Sequence, residues 1–225
     1  MATTGAPPRG TAIAAVVSAL VFGAGLGALR FVNQGPVERS AQTVGDLAFA
    51  VVFLAPGLLG LLALRRGRAL LLAAGALELA LGLLSLLSLV GLVLFVPMAL
   101  FFAAGGRSAE DGVGATRTAA AVVTAVVLGL ASFFALFRYD DPVCWAAMRN
   151  GSEVRLDPGR FVHGTSISGT ERVAVTPGMV ESGCSSDSIS RTEAATSMTL
   201  TVVMLLAAWT LVTPRPAPIP SASTD

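Results

Sequence analysis

The chain has 225 residues, of which 54% are hydrophobic and only 13% are charged, and its mean hydropathy is +0.75. Soluble domains carry about 25% charged residues, so this composition is typical of a membrane protein. The net charge of +1 gives no electrostatic footprint for nucleic acid, which argues against that class of partner. All fifteen basic residues are arginine, a bias typical of GC-rich genomes, which indicates a bacterial source.

The first apolar run follows a short polar tail, residues 1–10, which is predicted to be cytoplasmic. A cleaved signal peptide is the alternative, but its apolar region should have only about 7–15 residues. The uninterrupted apolar stretch 12–29 has eighteen residues, so we predict a retained span over about 12–31. The sequence Asn-Gln-Gly-Pro at 33–36 is predicted to end it, because Gly and Pro do not easily continue a helix.

The second run predicts a span over about 47–64. Thr43 has the position of an N-terminal cap, with Asp46 in the first turn, where a negative charge is favourable. Pro56 lies midway along the span. Three arginines follow at once, at 65, 66 and 68.

The third run, from Ala69 to Ala104, has thirty-six residues and one ionisable side chain, Glu78. As a single helix it would extend roughly 54 Å, whereas the hydrocarbon core of a bilayer is about 30 Å thick. We therefore predict a membrane hairpin with spans over about 69–87 and 89–104. The turn is predicted near 85–91, where two serines and a glycine are the candidate turn residues.

Two more runs predict a fifth span over about 119–137, which closes a five-helix membrane region at 11–137, and a sixth within 191–213. Ser190 and Glu193 have the spacing of a capping box at the start of the sixth span, and Pro214 ends it. The proline-rich tail 214–225 is predicted to be a disordered cytoplasmic spacer.

Arginine placement orients these six predicted spans. With the N-terminus inside, the inner segments hold seven of the fifteen arginines, all in short stretches of chain. They are Arg9, Arg65, Arg66, Arg68, Arg107, Arg117 and Arg215. Both termini are then cytoplasmic, and 138–190 lies outside the plasma membrane. A five-span count is disfavoured, because it would place the arginine cluster and both cysteines on the same face.

The outer segment 138–190 is the only stretch large enough to fold outside the lipid, and we predict a small β-rich domain there. Asn150-Gly151 is a strong hairpin signal between predicted strands at 146–149 and 152–156. A second strand pair is predicted over 161–167 and 172–175.

Cys144 and Cys184, the only cysteines, both fall in this outer segment. About fifty residues make a weak core by themselves. A disulfide on the oxidising outer face would stabilise them, by about 4 kcal/mol in the chain-entropy model. A redox-active pair is the disfavoured alternative, because 39 residues separate the cysteines and no Cys-X-X-Cys exists.

Glu78 is the intramembrane polar candidate. A carboxylate near the middle of a span costs at least about 2.5–3.5 kcal/mol on insertion scales. It therefore needs protonation, a partner or a wet cavity, and Arg30, Asp46 or the hairpin serines are the candidate partners. Two interpretations stay open: a proton or cation site of a transporter, and a neutral acid that is hydrogen-bonded to a neighbouring helix.

Pro56 and Pro97, midway along the second and fourth spans, are predicted kinks in packing helices. The alternative is a pair of broken helices at a transporter binding site.

Gly23 and Gly27 form a GxxxG motif of small residues, which allows two helices to approach closely. We expect it to pack within the chain, with homodimerisation as the alternative.

The remaining motifs carry little chemistry. Acidic residues of the outer segment lack the regular spacing of a calcium loop, and one histidine with two cysteines does not make a closed zinc site. They are His163 and the acids Asp140, Asp141, Asp157, Glu181 and Asp187. We therefore predict no metal, no cofactor and no catalytic residue.

The leading hypothesis from sequence is a multi-pass membrane protein without enzymatic activity. It would be an interaction or accessory protein that contacts a membrane or envelope partner through its extracytoplasmic domain. The alternative is a small transporter, or a proton- or cation-coupled permease, that uses Glu78.

Overall fold

The structure is a computed structural model that describes residues 9–33, 36–85, 89–107, 113–136, 143–156, 178–185 and 189–213. Every structural statement below concerns these residues. At 36–41, 89–90, 143–145, 153, 155–156 and 181–185 the description covers the backbone alone.

Six α-helices account for most of the described chain. They are α1 (Arg9–Val32), α2 (Pro36–Arg66), α3 (Arg68–Leu84), α4 (Leu89–Arg107), α5 (Ala115–Ala135) and α6 (Arg191–Val212). Four segments are long and apolar enough to cross a membrane: α1, residues 42–66 of α2, α5 and α6. The prediction of a helical membrane-type fold is confirmed to this extent. The remaining two helices are shorter, with 17 residues in α3 and 19 in α4, so six spans stay a prediction.

Helix α2 begins earlier than the sequence predicted. Its first residue is Pro36, and Thr43, the predicted cap, lies inside the helix. Proline has φ fixed near −65° and no N–H, which makes it well suited to the first turn of a helix. Pro36 therefore starts α2, and the prediction of a helix start at Thr43 is wrong.

Two separate helices, α3 and α4, occupy the long apolar run. Ser85 follows the end of α3 and donates its backbone N–H to the carbonyl of Leu81 at 3.0 Å. They pack antiparallel, since a Cβ on Gly75 would meet Phe101 of α4, while one on Gly105 would meet Leu72 of α3. We call this pair the α3–α4 hairpin.

A single residue, Gly67, separates α2 from α3. Its φ is 96°, in the left-handed region that glycine adopts without steric cost. Gly60 of α2 and Gly75 of α3 both lie against Phe101, so the chain reverses direction between the two helices, and Arg66 and Arg68 flank the reversal.

A three-stranded antiparallel sheet lies in the chain between α5 and α6. Its strands are β1 (Val143–Met148), β2 (Glu153–Leu156) and β3 (Met179–Ser185), in the order β2-β1-β3. The predicted Asn-Gly hairpin is confirmed, because it joins β1 to β2 and Gly151 has a φ of 81°. Asn150 Oδ1 accepts hydrogen bonds from the backbone N–H and the hydroxyl of Ser152, at 3.0 and 2.7 Å.

Strand β3 is not predicted by the sequence pattern, since its polar residues give no apolar alternation. It pairs with β1, with an irregular register between Ala147 and Met148. The second predicted strand pair, at 161–167 and 172–175, lies outside the described residues, so a β-rich domain stays a prediction.

The chain packs into two compact units. The hairpin unit comprises residues 1–19, 56–127 and 203–225, and the sheet unit comprises residues 20–55 and 128–202, within the described ranges. In the hairpin unit, Phe101 is fully buried and lies against Gly60 of α2 and Gly75 of α3. In the sheet unit, the rings of Phe53 and Phe133 meet edge to face, with centroids 6.0 Å apart.

Gly23 and Gly27 of α1 lie against α2 in the sheet unit. A Cβ on Gly23 would be 2.5 Å from the backbone oxygen of Phe53, and one on Gly27 would be 2.6 Å from the Cβ of Ala50. By contrast, nothing lies within 4 Å of a Cβ on Gly25, on another face of the same turn. The face that carries the GxxxG motif is therefore occupied by a helix of the same chain, as the first interpretation of the motif requires.

Candidate functional site

Glu78 lies in the interior of the hairpin unit, where it is only 1% exposed. Gly75 and Gly82 precede and follow it on α3, and both contact α4. Glu78 therefore lies on the side of α3 that packs against α4. Its Oε2 is buried and has no hydrogen-bond partner in the described part of the chain.

Such a carboxyl group is costly, because a buried polar atom without a hydrogen bond loses its hydration and gains nothing in return. Native structures contain few such atoms, and each calls for an explanation. Of the hairpin serines, Ser85 follows α3 directly and Ser88 lies outside the described residues. Glu78 is thus a buried carboxyl group of α3 with one oxygen, Oε2, that no hydrogen bond satisfies in the described part of the chain.

Arg30 and Asp46, two of the candidate partners for Glu78, pair with each other in the sheet unit. The guanidinium Nε of Arg30 donates to Oδ1 of Asp46 at 2.9 Å. One terminal nitrogen donates to Oε1 of Gln42 at 3.2 Å, and the guanidinium carbon lies 5.1 Å from the ring centre of Phe49. The last turn of α1 is therefore held to α2 by charge, by a hydrogen bond and by a cation–π contact.

This pair is well removed from solvent, with side chains only 16% and 6% exposed for Arg30 and Asp46. Gln42 is buried as well. The sequence analysis names Arg30 and Asp46 as candidate partners of Glu78, but it does not predict that they pair with each other. The signal that could have found it is the position of Arg30 near the end of α1, because a short connection brings the next helix back alongside.

A buried hydroxyl cluster joins α5 to α6 and was missed by the sequence reasoning. The Ser132 hydroxyl donates to the carbonyl of Ser197 at 2.8 Å, and it lies 2.9 Å from Ser197 Oγ and 2.7 Å from Thr201 Oγ1. Thr201 also donates to the Ser197 carbonyl at 3.0 Å. Hydroxyl contacts of this kind hold membrane helices together, where hydrophobic burial contributes little. The available signal was the i, i+4 spacing of Ser197 and Thr201 on one helix face.

The start of α6 has the predicted capping box, which is confirmed. The backbone N–H of Glu193 donates to the Ser190 hydroxyl at 3.2 Å, and that of Ser190 donates to Glu193 Oε2 at 2.8 Å. At the far end of α6, in the hairpin unit, the Arg66 guanidinium carbon lies 4.6 Å from the ring centre of Trp209. These contacts fix the two ends of α6.

The two prolines lie inside continuous helices, Pro56 in α2 and Pro97 in α4, and both are buried.

Cys144 of β1 and Cys184 of β3 are Cα partners in the antiparallel register. The structure describes only the backbone of these two cysteines and shows no disulfide bond between them. The predicted bond therefore stays a prediction.

The structure does not describe the side chains of the metal-ligand candidates in the outer segment either. His163 and the acids at 140, 141, 157 and 187 are outside the described residues, as is the side chain of Glu181. Within the described ranges, no group of three or more His, Cys, Asp or Glu residues could hold a metal ion. Comparison with known proteins finds no matching family, no matching curated protein and no matching solved structure.

Proposed function

We propose that this chain is a six-span protein of the bacterial plasma membrane, with α3 and α4 as two short spans. Helices of 17 and 19 residues extend about 26 and 28 Å, close to the hydrocarbon thickness of about 30 Å. Arg68 starts α3 and Arg107 ends α4, so both charges are at the same end of the antiparallel pair. The proposal predicts that the turn after Ser85 is reachable from outside, as impermeant labelling of a Ser85→Cys chain measures.

In this arrangement both termini are cytoplasmic and 138–190 lies outside. The support is the excess of arginines in short segments on the proposed inner side. The proposed β-rich outer domain has the three-stranded sheet as its described part, with a Cys144–Cys184 disulfide holding the central strand to β3.

We propose further that the protein acts by interaction rather than by catalysis, through the outer segment, on a membrane or envelope protein. The observation that carries this proposal is the folded sheet that the chain places between its last two spans. The polar groups of the sheet unit's helices support it, because Arg30, Asp46, Ser132 and Thr201 are engaged with other residues of the unit. Their arrangement favours a rigid support for the outer segment.

Replacing 140–188 by a flexible linker is expected to abolish the phenotype that the intact chain restores in cells lacking it. The linker variant keeps all six helices, so its amount in the membrane serves as the control for folding and insertion. Full complementation by the linker variant, at equal membrane levels, would show that the activity is in the membrane region instead.

A second candidate function, a proton- or cation-coupled transporter, is favoured by one observation, the buried Oε2 of Glu78 without a hydrogen bond. Glu78→Gln and Glu78→Ala are then expected to abolish ion-driven flux in proteoliposomes, because neither variant carries an ionisable group there. Glu193→Gln is the comparison, since Oε2 of that carboxylate caps α6 while its Oε1 is buried without a hydrogen bond, like Oε2 of Glu78. Normal flux in Glu193→Gln would show that the loss is specific to Glu78. Normal flux in Glu78→Ala would eliminate this candidate.

A further inference from the structure

Gly45 lies inside α2, in the sheet unit, and its backbone is in close contact with the chain directly before α6. A Cβ on Gly45 would be 2.6 Å from the Cβ of Ile189 and 2.9 Å from its backbone oxygen. Glycine in a helix interior is less favourable than alanine, because it loses more conformational freedom on folding. The missing side chain at Gly45 therefore has a use, which is to let Ile189 approach the helix.

Ile189 is the last residue of the outer segment that packs on the membrane helices before α6 begins. It is buried, although it belongs to no helix or strand. The next residue, Ser190, is held in the capping box by its reciprocal hydrogen bonds with Glu193. Ile189 thus rests on α2 and is joined directly to the capped start of α6.

The turn of α2 that carries Gly45 also holds the end of α1. Gln42 and Asp46, one turn apart on α2, both accept hydrogen bonds from the Arg30 guanidinium. We call residues 42–46 the α2 seat. Because an ion pair and a hydrogen bond hold the seat to α1, a side chain added at Gly45 has to displace Ile189 rather than α2.

The sheet is tied closely to this seat by the chain itself. Strand β3 ends at Ser185, and the four residues from there to Ile189 span at most about 14 Å when fully extended. The capping box resists movement on the α6 side, so a displacement of Ile189 is taken up on the side of β3. The contact at Gly45 therefore limits where the sheet can lie.

We propose that the α2 seat sets the position of the outer segment, and that Gly45 is a positioning residue for partner binding by that segment. A side chain on Gly45 would meet the backbone oxygen of Ile189 as well as its side chain, so a change of rotamer does not relieve the overlap. The role in partner binding rests on the proposed interaction function, whereas the seat itself does not.

Limited proteolysis of the purified full chain in detergent tests the seat. Gly45→Ala is expected to raise the rate of cleavage within 138–190 by about fivefold or more, because cleavage follows the population of locally opened chain. Gly25→Ala is the matched control, since nothing lies within 4 Å of a Cβ there, and its expected change is less than twofold. Both changes raise helix propensity, so a weaker helix does not explain a difference between them.

A double variant distinguishes the contact between Gly45 and Ile189 from a general weakening of the structure. Ile189→Gly removes the side chain against which Gly45→Ala presses. The double variant Gly45→Ala/Ile189→Gly is expected to be cleaved more slowly than the two separate increases predict, because residues in contact couple. A rate equal to the product of the two increases would contradict the contact. Should Gly45→Ala not accumulate, Ile189→Ala tests the contact from the other side and is expected to raise cleavage as well.

Complementation in cells tests the positioning role. At equal membrane levels, Gly45→Ala is expected to lose most of the activity that the intact chain restores, while Gly25→Ala keeps it. Unchanged cleavage in Gly45→Ala overturns the seat. Faster cleavage together with full complementation overturns the positioning role alone, because the linker variant decides separately whether the outer segment is needed.

Discussion

Removing one member of the Arg30–Asp46 pair is expected to lower the free energy of unfolding by about 3–5 kcal/mol. The two side chains are largely buried and form a 2.9 Å ion pair, so either single variant leaves a charge in an environment that cannot solvate it. Arg30→Met and Asp46→Leu keep most of the side-chain volume and so change the charge with little loss of packing. Denaturant titration of the purified chain in detergent measures both effects.

The double variant Arg30→Met/Asp46→Leu distinguishes the effect of losing the ion pair from the effect of leaving one charge without its partner. With both charges absent, no unpaired charge is left, although the buried Gln42 Oε1 loses its hydrogen bond from Arg30. Much of the loss is therefore expected to be recovered, as apolar replacement of a buried pair is often neutral. Arg65→Met is the control for losing a single exposed arginine, and surface changes of that kind are usually within about 0.5 kcal/mol. Strictly additive losses in the double variant would contradict the pairing, because residues in contact couple.

The sequence predicted the helices well where apolar run length decided the outcome. The run 69–104 is too long for one span, and the structure has two helices there, α3 and α4. Glu78 stood out as the single charge in that run, and it is buried. Local chemistry was equally readable at Asn150-Gly151 and at Ser190 with Glu193, since each signal involves residues at most a few positions apart.

The sequence did not predict which polar groups meet across helices. Arg30 with Asp46, and Ser132 with Thr201, join residues far apart in the chain, and apolar periodicity contains no information about such pairs. Strand β3 was missed for a similar reason, since it is held by its pairing to β1 rather than by a pattern of its own. Pro36 was read as a stop signal, although proline is also a good helix start.

The other large effect is expected at the cysteine pair. The register makes Cys144 and Cys184 direct partners in neighbouring antiparallel strands. Cα atoms of such partners are about 4.5 or 5.5 Å apart, depending on the hydrogen-bonding position, and disulfides join Cα atoms about 4.4–6.8 Å apart. The register therefore puts the two cysteines at a Cα separation typical of disulfides, which adds a geometric argument to the count of cysteines.

Cys144→Ser, Cys184→Ser and the double variant are each expected to lower the free energy of unfolding of the outer segment by about 4 kcal/mol. Each change opens the same loop, with 39 residues between the cysteines, and protease digestion of intact cells with and without reductant measures the loss. Equal losses in all three variants indicate a shared bond, because independent effects of two thiols would add.

An impermeant maleimide is expected to label the intact chain only after reduction, and labelling without reductant would rule the bond out. Labelling only in permeabilised cells would instead place the sheet in the cytoplasm. Because the bond needs an oxidising compartment, labelling after reduction alone also puts the sheet outside, on the face opposite the arginine cluster if α3 and α4 both cross.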